Sequence, residues 1–230
     1  MNVEQEALLV TQIPLFEFGE ITTGLVELFP TVWAAAESLS SADFRQRQQG
    51  LDLLIKCGAA RLSPLVIYVI YTRITDPDIE IRSLVVQALA DVMALDEKGR
   101  QAPESVRQHL MTQLGQMRTR EIFGLVQLLA NKPALTPQVS RLMNSCPFAG
   151  HHLADLAVSR KTPLEIRRHA IRLAGEVGYC DVIPTFERML ARLDSRANGQ
   201  QAMAFAPPSG MDDADLLPDV KRALAKLSSP

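Results

Sequence analysis

The chain has few of the residues on which common catalytic and metal-binding motifs depend. Its 230 residues include 3 cysteines, 4 histidines and 12 glycines. The cysteines are odd in number and far apart, so neither structural disulfides nor a Cys-x-x-Cys zinc site is expected. The glycines all occur singly, which excludes a phosphate-binding loop and a dinucleotide fingerprint. Gly-x-Ser-x-Gly and His-Glu-x-x-His motifs are also absent, and the sequence predicts no cofactor and no metal.

Long apolar runs are missing as well. A membrane-spanning helix needs roughly 18 apolar residues, and the best candidate, residues 62–72, is bounded by Arg61 and Arg73. The chain begins with acidic rather than basic residues, so we expect no secretory signal. The few, widely spaced cysteines favour a reducing cytoplasm, and no membrane partner is expected. The formal charge of −2 disfavours a protein whose whole surface binds nucleic acid.

The apolar residues that are present follow a helical period over nearly the whole chain. Hydrophobic residues make up 47% of the sequence and aromatic residues only 5%, and the abundant leucine and alanine favour helices. No segment alternates for long enough to predict a strand. We therefore predict an all-α fold with helices at 20–40, 42–57, 61–75, 78–95, 103–116, 119–131, 136–145, 149–160, 163–177, 181–193 and 214–227.

Proline and capping residues indicate where several of these helices begin. Asp76 precedes Pro77, so its carboxylate is predicted to cap the helix at 78–95. Thr162 precedes Pro163 in the same way, so its hydroxyl is predicted to cap the helix at 163–177.

Short internal repeats relate the helices to one another. Each repeat puts a branched apolar residue before a basic one: EIRSLVV from residue 80, EIRRHAI from residue 165 and DVKRAL from residue 219. Several helices are apolar over a face that is too broad for one neighbour. Each must therefore be covered by its hairpin partner and by the next hairpin, which is typical of stacked helical pairs.

These segments resemble the HEAT-repeat family, in which an aspartate in the turn between two helices lies six residues before an arginine on the second. Asp76 and Arg82 match that spacing, and so do Asp215 and Lys221 with lysine substituted. Arg167 aligns with Arg82 but has no acid six residues before it. The resemblance gives these five residues structural roles, with Arg167 pointing inward. It implies a right-handed α-solenoid of about five HEAT-like pairs, at 20–57, 61–95, 103–131, 149–177 and 181–227, with 136–145 as an extra helix.

Two segments fall outside this pattern. Residues 1–19 do not match a repeat and are predicted to be an N-terminal extension or a cap on the exposed end of the stack. The repeat domain is predicted to occupy residues 20–230 with a flexible insertion at 194–213. That insertion is rich in turn residues and longer than most loops within compact domains.

The two halves of the chain differ in charge. Residues 1–115 contain 9 Lys and Arg against 15 Asp and Glu, a net of −6, whereas residues 116–230 contain 15 against 11, a net of +4. The positive charge concentrates at Arg160, Lys161, Arg168 and Arg172, opposed nearby only by Glu165. These four basic residues, which we call the basic patch, suit an acidic peptide, a phosphate or a nucleic-acid backbone. A solvated helix face is the other interpretation.

The predicted function is a non-enzymatic protein-binding scaffold or adaptor, because stacked pairs present a curved surface lined by their second helices. Its partner-binding residues are predicted to be the basic patch together with Gln87 and Asp91. Further exposed candidates are Gln48, Asp52, Lys56, Ser83, Gln127 and Glu176.

The alternative is a HEAT-like enzyme or nucleic-acid-binding protein, similar to the DNA alkylpurine glycosylases or to bilin lyases. The glycosylase type needs a basic surface with aromatic side chains. The scarce aromatic residues and the acidic N-terminal half disfavour it, and a protein or peptide partner is expected instead. The oligomeric state is left open.

Overall fold

The computed structural model describes residues 25–197 and 213–229, and the regular structure in this part of the chain is entirely helical. The predicted all-α fold is confirmed there. The predicted cap at 1–19 and residues 198–212 of the predicted insertion lie outside the described residues.

Twelve α-helices make up the described part of the chain. They are α1 (Pro30–Ser38), α2 (Phe44–Lys56), α3 (Ala59–Leu62), α4 (Pro64–Tyr71), α5 (Ile79–Val92), α6 (Glu104–Gly115), α7 (Thr119–Asn131), α8 (Thr136–Met143), α9 (Ala149–Val158), α10 (Leu164–Val177), α11 (Ile183–Ala197) and α12 (Leu217–Leu227). Short 3₁₀ helices occupy Leu25–Leu28, Pro133–Leu135, Cys180–Val182 and Asp213–Leu216.

Proline divides the helix that was predicted at 61–75. Pro64 is the first residue of α4, and Ser63 before it is extended with ψ of 123°, which is the conformation that a following proline favours. The Ser63 hydroxyl then accepts a hydrogen bond from the backbone N–H of Val66 at 3.0 Å and caps α4. Pro30 likewise begins α1, so the described part of the predicted helix at 20–40, from residue 25 on, is a 3₁₀ turn followed by a separate α-helix.

The predicted caps of α5 and α10 were wrong. Asp78, not Asp76, caps α5, where its Oδ1 accepts from the backbone N–H groups of Glu80 (2.8 Å) and Ile81 (3.2 Å). Helix α10 begins at Leu164 after Pro163, with no side-chain cap. The carboxylate of Asp76 is therefore available for a different contact, which is described below.

Contacts between helices follow the order of the chain. Helix α2 contacts α5, α5 contacts α7, α7 contacts α10 and α10 contacts α12. In the remaining helices, α1 contacts α2 and α4, α4 contacts α5 and α6, and α9 contacts α7, α10 and α11, while α11 contacts α12. The additional helix α8, predicted at 136–145, packs against both α5 and α10.

One continuous apolar core runs between these helices from Val26 to Leu227. At two places a glycine lets neighbouring helices approach closely. A Cβ at Gly50 would lie 2.5 Å from the carbonyl oxygen of Ala35, where α2 crosses α1. A Cβ at Gly175 would lie 2.9 Å from the Cα of Ala223, where α10 crosses α12. Any larger side chain at either position would push the two helices apart.

Candidate functional site

A buried arginine on α2 connects that helix to the turn that precedes α5. Arg47 Nε and Nη2 lie 3.0 Å and 3.1 Å from the carboxylate oxygens of Asp76. Its Nη1 also donates to the carbonyl oxygens of Ser41 (3.0 Å) and Ala42 (2.9 Å) in the turn before α2. We call such a buried contact, between an arginine on one helix and an aspartate in the segment that leads into a later helix, a rung.

A second rung connects α10 to the segment that leads into α12. Arg167 Nη1 lies 2.5 Å from Asp213 Oδ1, and Arg167 Nε donates to the carbonyl oxygen of Ala157 at 2.8 Å. Both side chains are buried. Burial by itself raises the pKa of Asp213, but the hydrogen bond and charge of Arg167, with the charges of Arg192 and Arg160, outweigh it and hold this pKa below its ordinary value.

The rungs do not follow the six-residue spacing within one repeat. Asp76 pairs with Arg47 of the preceding helical pair and not with Arg82. Asp215 is exposed, and Lys221 lies 3.1 Å from Asp194. The acid of the second rung is Asp213, which sequence reasoning placed only in an acidic cluster within the insertion.

Arg82 is buried to the same degree as these rung arginines but makes no ion pair with an acid among the described residues. It is 7% exposed. Its Nη1 donates to the carbonyl oxygen of Gly124 (3.2 Å) and to Gln127 Oε1 (2.9 Å), while Nε is buried without a hydrogen-bond partner. Burial lowers the pKa of Arg82, and the charges of Asp76 and Asp78 act in the opposite direction. The guanidinium therefore lies in a desolvated place with only neutral acceptors.

An open cleft of about 200 Å³ adjoins this guanidinium. It lies between the turn that precedes α5 and the first turns of α7, and we call it the Arg82 cleft. Its walls include Thr75, Asp76, Arg82, Arg120, Phe123 and Gln127. Arg120 is exposed and makes no hydrogen bond or ion pair within the described ranges. Two cationic side chains thus border the same small space.

The sequence contains a signal for this arrangement that the repeat search missed. The segment EIFGLV from residue 121 aligns with EIRSLV from residue 80. In that register Phe123 replaces Arg82, and the residue six positions before it is Met117 in place of Asp76. Met117 is 2% exposed. The segment that leads into α7 therefore has neither the aspartate nor the arginine of the pattern, and Arg82 meets no aspartate there.

The basic patch is partly neutralised from another helix. Asp219 on α12 is 4% exposed, and its carboxylate oxygens lie 2.8 Å from Arg172 Nε and 3.3 Å from Arg168 Nε. Arg168 Nη1 also lies 2.7 Å from Glu165 Oε1. The expectation that only Glu165 opposes the patch was wrong, because Asp219 follows 47 residues after Arg172 and meets it only through the fold.

The other members of the predicted surface lie as follows. Arg160 and Lys161 are exposed in the turn between α9 and α10. Gln87 and Asp91 are exposed on α5. Ser83, which was expected on the surface, is buried, and its hydroxyl accepts a hydrogen bond from Gln87 Nε2 at 3.3 Å. The remaining candidates are exposed or half-buried: Gln48, Asp52, Lys56, Gln127 and Glu176.

Comparison of the chain with protein-family models, with curated proteins and with solved structures found no match. Among residues 25–197 and 213–229, no helix has the length and apolar character needed to cross a membrane. In the same ranges, no three His, Cys, Asp or Glu side chains are grouped so that they could hold a metal ion.

Proposed function

We propose that this chain is a non-enzymatic protein-binding scaffold, built as a right-handed α-solenoid of about five HEAT-like helical pairs. The observation that carries the proposal is the order of contacts from α2 to α5, α7, α10 and α12. These are the second helices of the predicted pairs. In a stack where each unit packs on its neighbours, such helices line one extended surface on which a protein or peptide partner binds.

The rungs support this arrangement because they connect successive pairs. The Arg47–Asp76 rung joins the first pair to the second, and the Arg167–Asp213 rung joins the fourth pair to the fifth. A buried ion pair has a strict geometry, and breaking it leaves an uncompensated charge. Two such pairs therefore restrict how neighbouring units rotate against each other.

The exposed polar residues of the second helices suit a protein partner. On α2, α5 and α10 the exposed and half-buried candidates lie four residues apart, with Gln87 and Asp91 the two on α5, so each helix presents one polar stripe. Packed helix axes lie about 8–10 Å apart, so five of them span roughly 30–40 Å, enough for an interface of about 800 Å² per partner. The stripes mix both signs of charge with amides, which favours selective recognition over general attraction to a polyanion.

The proposal is tested by capturing a partner with the immobilised intact chain and comparing two double variants. Gln87→Arg with Asp91→Asn raises the net charge of the exposed stripe of α5 by two, adding one positive charge and removing one negative charge. Gln108→Arg with Thr112→Arg also raises the net charge by two, at positions four residues apart. These residues lie on the exposed side of α6, the first helix of the predicted pair at 103–131. We expect the α5 variant to lose the captured partner and the α6 variant to retain it. Equal loss from both variants, or capture of nucleic acid in place of protein, would contradict the proposal.

The basic patch needs a separate variant. Arg168 and Arg172 pair with Asp219, so reversing their charge would disturb α12 as well as the surface. Arg160 and Lys161 are exposed and allow Arg160→Glu with Lys161→Glu. Weakened capture by this variant would place the patch in the binding surface, and unchanged capture would remove it from the proposal.

A further inference from the structure

The buried guanidinium of Arg82 lacks a partner that the comparable arginines have. Arg47 and Arg167 each donate to a carboxylate of the following helical pair. At Arg82 both hydrogen bonds run to neutral oxygens, and Nε has none. A buried arginine is best satisfied by a carboxylate, which accepts two parallel N–H bonds from the guanidinium fork. The third pair offers no such group, because Met117 takes the aspartate position.

Asp76 borders the Arg82 cleft but does not meet this need. Its Oδ2 lies 3.0 Å from Arg47 Nε and its Oδ1 lies 3.1 Å from Arg47 Nη2, so both oxygens already serve another arginine. The cleft walls thus carry two cations, Arg82 and Arg120, against one acid that a third cation neutralises. A positive excess beside a desolvated guanidinium favours an anionic occupant.

The dimensions of the Arg82 cleft limit that occupant to a small group. About 200 Å³ is less than the roughly 300–1,000 Å³ typical of sites for small-molecule ligands. Phe123 supplies an apolar wall beside the two cations, and Thr75 also lines the cleft. These walls match a side chain that has a short hydrocarbon stem and ends in a carboxylate.

We infer that the Arg82 cleft binds an aspartate or glutamate side chain of the protein partner, which supplies the carboxylate that the third helical pair lacks. The inference rests on the proposed scaffold function and assigns one anchor point within it. The acid enters between α5 and α7 and lies between Arg82 and Arg120, where it completes a rung across two molecules instead of within one.

The test uses the full chain labelled with ¹⁵N and two small probes that differ only in charge. The first is N-acetyl-aspartate N-methylamide and the second is its neutral isostere, N-acetyl-asparagine N-methylamide. We expect saturable shifts of the Gly124 and Gln127 backbone amides and of the Arg82 Nε–H with the charged probe only. Similar shifts with both probes, or shifts scattered over the basic patch, would overturn the inference.

Two variants sharpen the test. Arg120→Gln is expected to weaken binding of the charged probe about threefold to fivefold, the size of one exposed charge pair. Its matched control is Arg118→Gln, an exposed arginine of the same turn that does not border the cleft, and this variant should bind as the unaltered chain does.

Gln127→Glu places an internal carboxylate where Gln127 Oε1 already lies 2.9 Å from Arg82 Nη1. We expect this variant to have a higher melting temperature and to lose the probe shifts, because the chain now completes its own rung. Undiminished probe binding by this variant would overturn the inference.

A third probe identifies the source of the carboxylate. N-acetylglycine carries the carboxylate of a chain end, and tighter binding of it than of the aspartate probe would overturn the assignment to a side chain. These titrations need no protein partner. The probes can therefore fail to bind, which overturns the cleft assignment, while the α5 surface variant still loses the captured partner, which supports the scaffold. Conversely, loss of the charged-probe shifts in Gln127→Glu supports the cleft assignment even where the α5 and α6 variants contradict the scaffold.

Discussion

Gly50 lies where α2 approaches α1 so closely that a methyl group has no space. A Cβ there would be 2.5 Å from the Ala35 carbonyl oxygen and 2.9 Å from Ser38 Cβ. Backbone atoms cannot turn aside as the end of a long side chain can. We therefore predict that Gly50→Ala lowers the free energy of unfolding by about 1–3 kcal/mol, as measured by urea denaturation.

Gly124 on α7 offers the opposite case and serves as the matched control. A Cβ added at Gly124 would have the Ile74 carbonyl oxygen as its nearest neighbour, at 3.6 Å, which is an ordinary van der Waals contact. Alanine favours a helix over glycine by about 0.5–1 kcal/mol, so Gly124→Ala is predicted to raise the free energy of unfolding by that amount. Destabilisation by Gly124→Ala as large as that by Gly50→Ala would show that the two helix contacts are not as the structure describes.

The rung between α10 and the segment leading into α12 predicts a dependence of stability on pH. The pKa of Asp213 in the folded chain is lower than the ordinary aspartate value of about 3.9. Its stabilising contribution is therefore complete above about pH 4 and is lost as the pH falls through the lower, folded value. Removing one partner of a buried pair costs about 3–5 kcal/mol, so Asp213→Ala should lose this amount at pH 7.

Urea unfolding between pH 7 and pH 3 measures this loss. The difference between Asp213→Ala and the unaltered chain should shrink toward the acid end, because the unaltered chain then loses the ion pair as well. Asp215→Ala is the control, since this residue is two positions away and exposed. A difference that stays constant down to pH 3 would argue against a buried ion pair at Asp213.

Helices were predictable from the sequence because their signals are local. Apolar period and composition identified the elements, while the division at Pro64 was missed although proline itself signals it. The rungs were harder to predict from the sequence. The repeat motif singled out Arg82 and Arg167, both of which are buried, but a six-residue spacing describes one helix and its turn, not the neighbour that the side chain meets.

The contacts of the candidate site join distant parts of the chain. Arg47 reaches an acid 29 residues ahead, and Arg172 reaches Asp219 47 residues ahead. Which faces meet at such separations depends on helix crossing and on turn length, neither of which a single sequence specifies. At the Arg82 cleft the sequence does carry part of the signal, since Met117 and Phe123 occupy the aspartate and arginine positions of the motif. The cleft itself forms only where the turn before α5 meets α7.

Among the described helices, the order of contacts separates a first group from a last group. Helices α1 and α2 pack on α4 and α5, whereas α11 and α12 pack on α9 and α10. The charge follows the same division, with an excess of acids in residues 1–115 and of bases in residues 116–230. In the stack that we propose, stability is a sum of units and of the contacts between neighbours, so a destabilising substitution at one end should not affect the other end equally.

Gly175→Ala tests this independence, because its Cβ would lie 2.9 Å from Ala223 Cα and force α10 away from α12. Hydrogen exchange is predicted to accelerate in α11 and α12 by about 5-fold to 150-fold, which corresponds to an overpacking cost of about 1–3 kcal/mol. Exchange in α2 should remain within error of the unaltered chain. Gly50→Ala is the mirror variant, and it should accelerate exchange in α1 and α2 while leaving α12 unchanged. Uniform acceleration along the chain by both variants would instead describe a single cooperative globule, which would remove the basis for an extended binding surface.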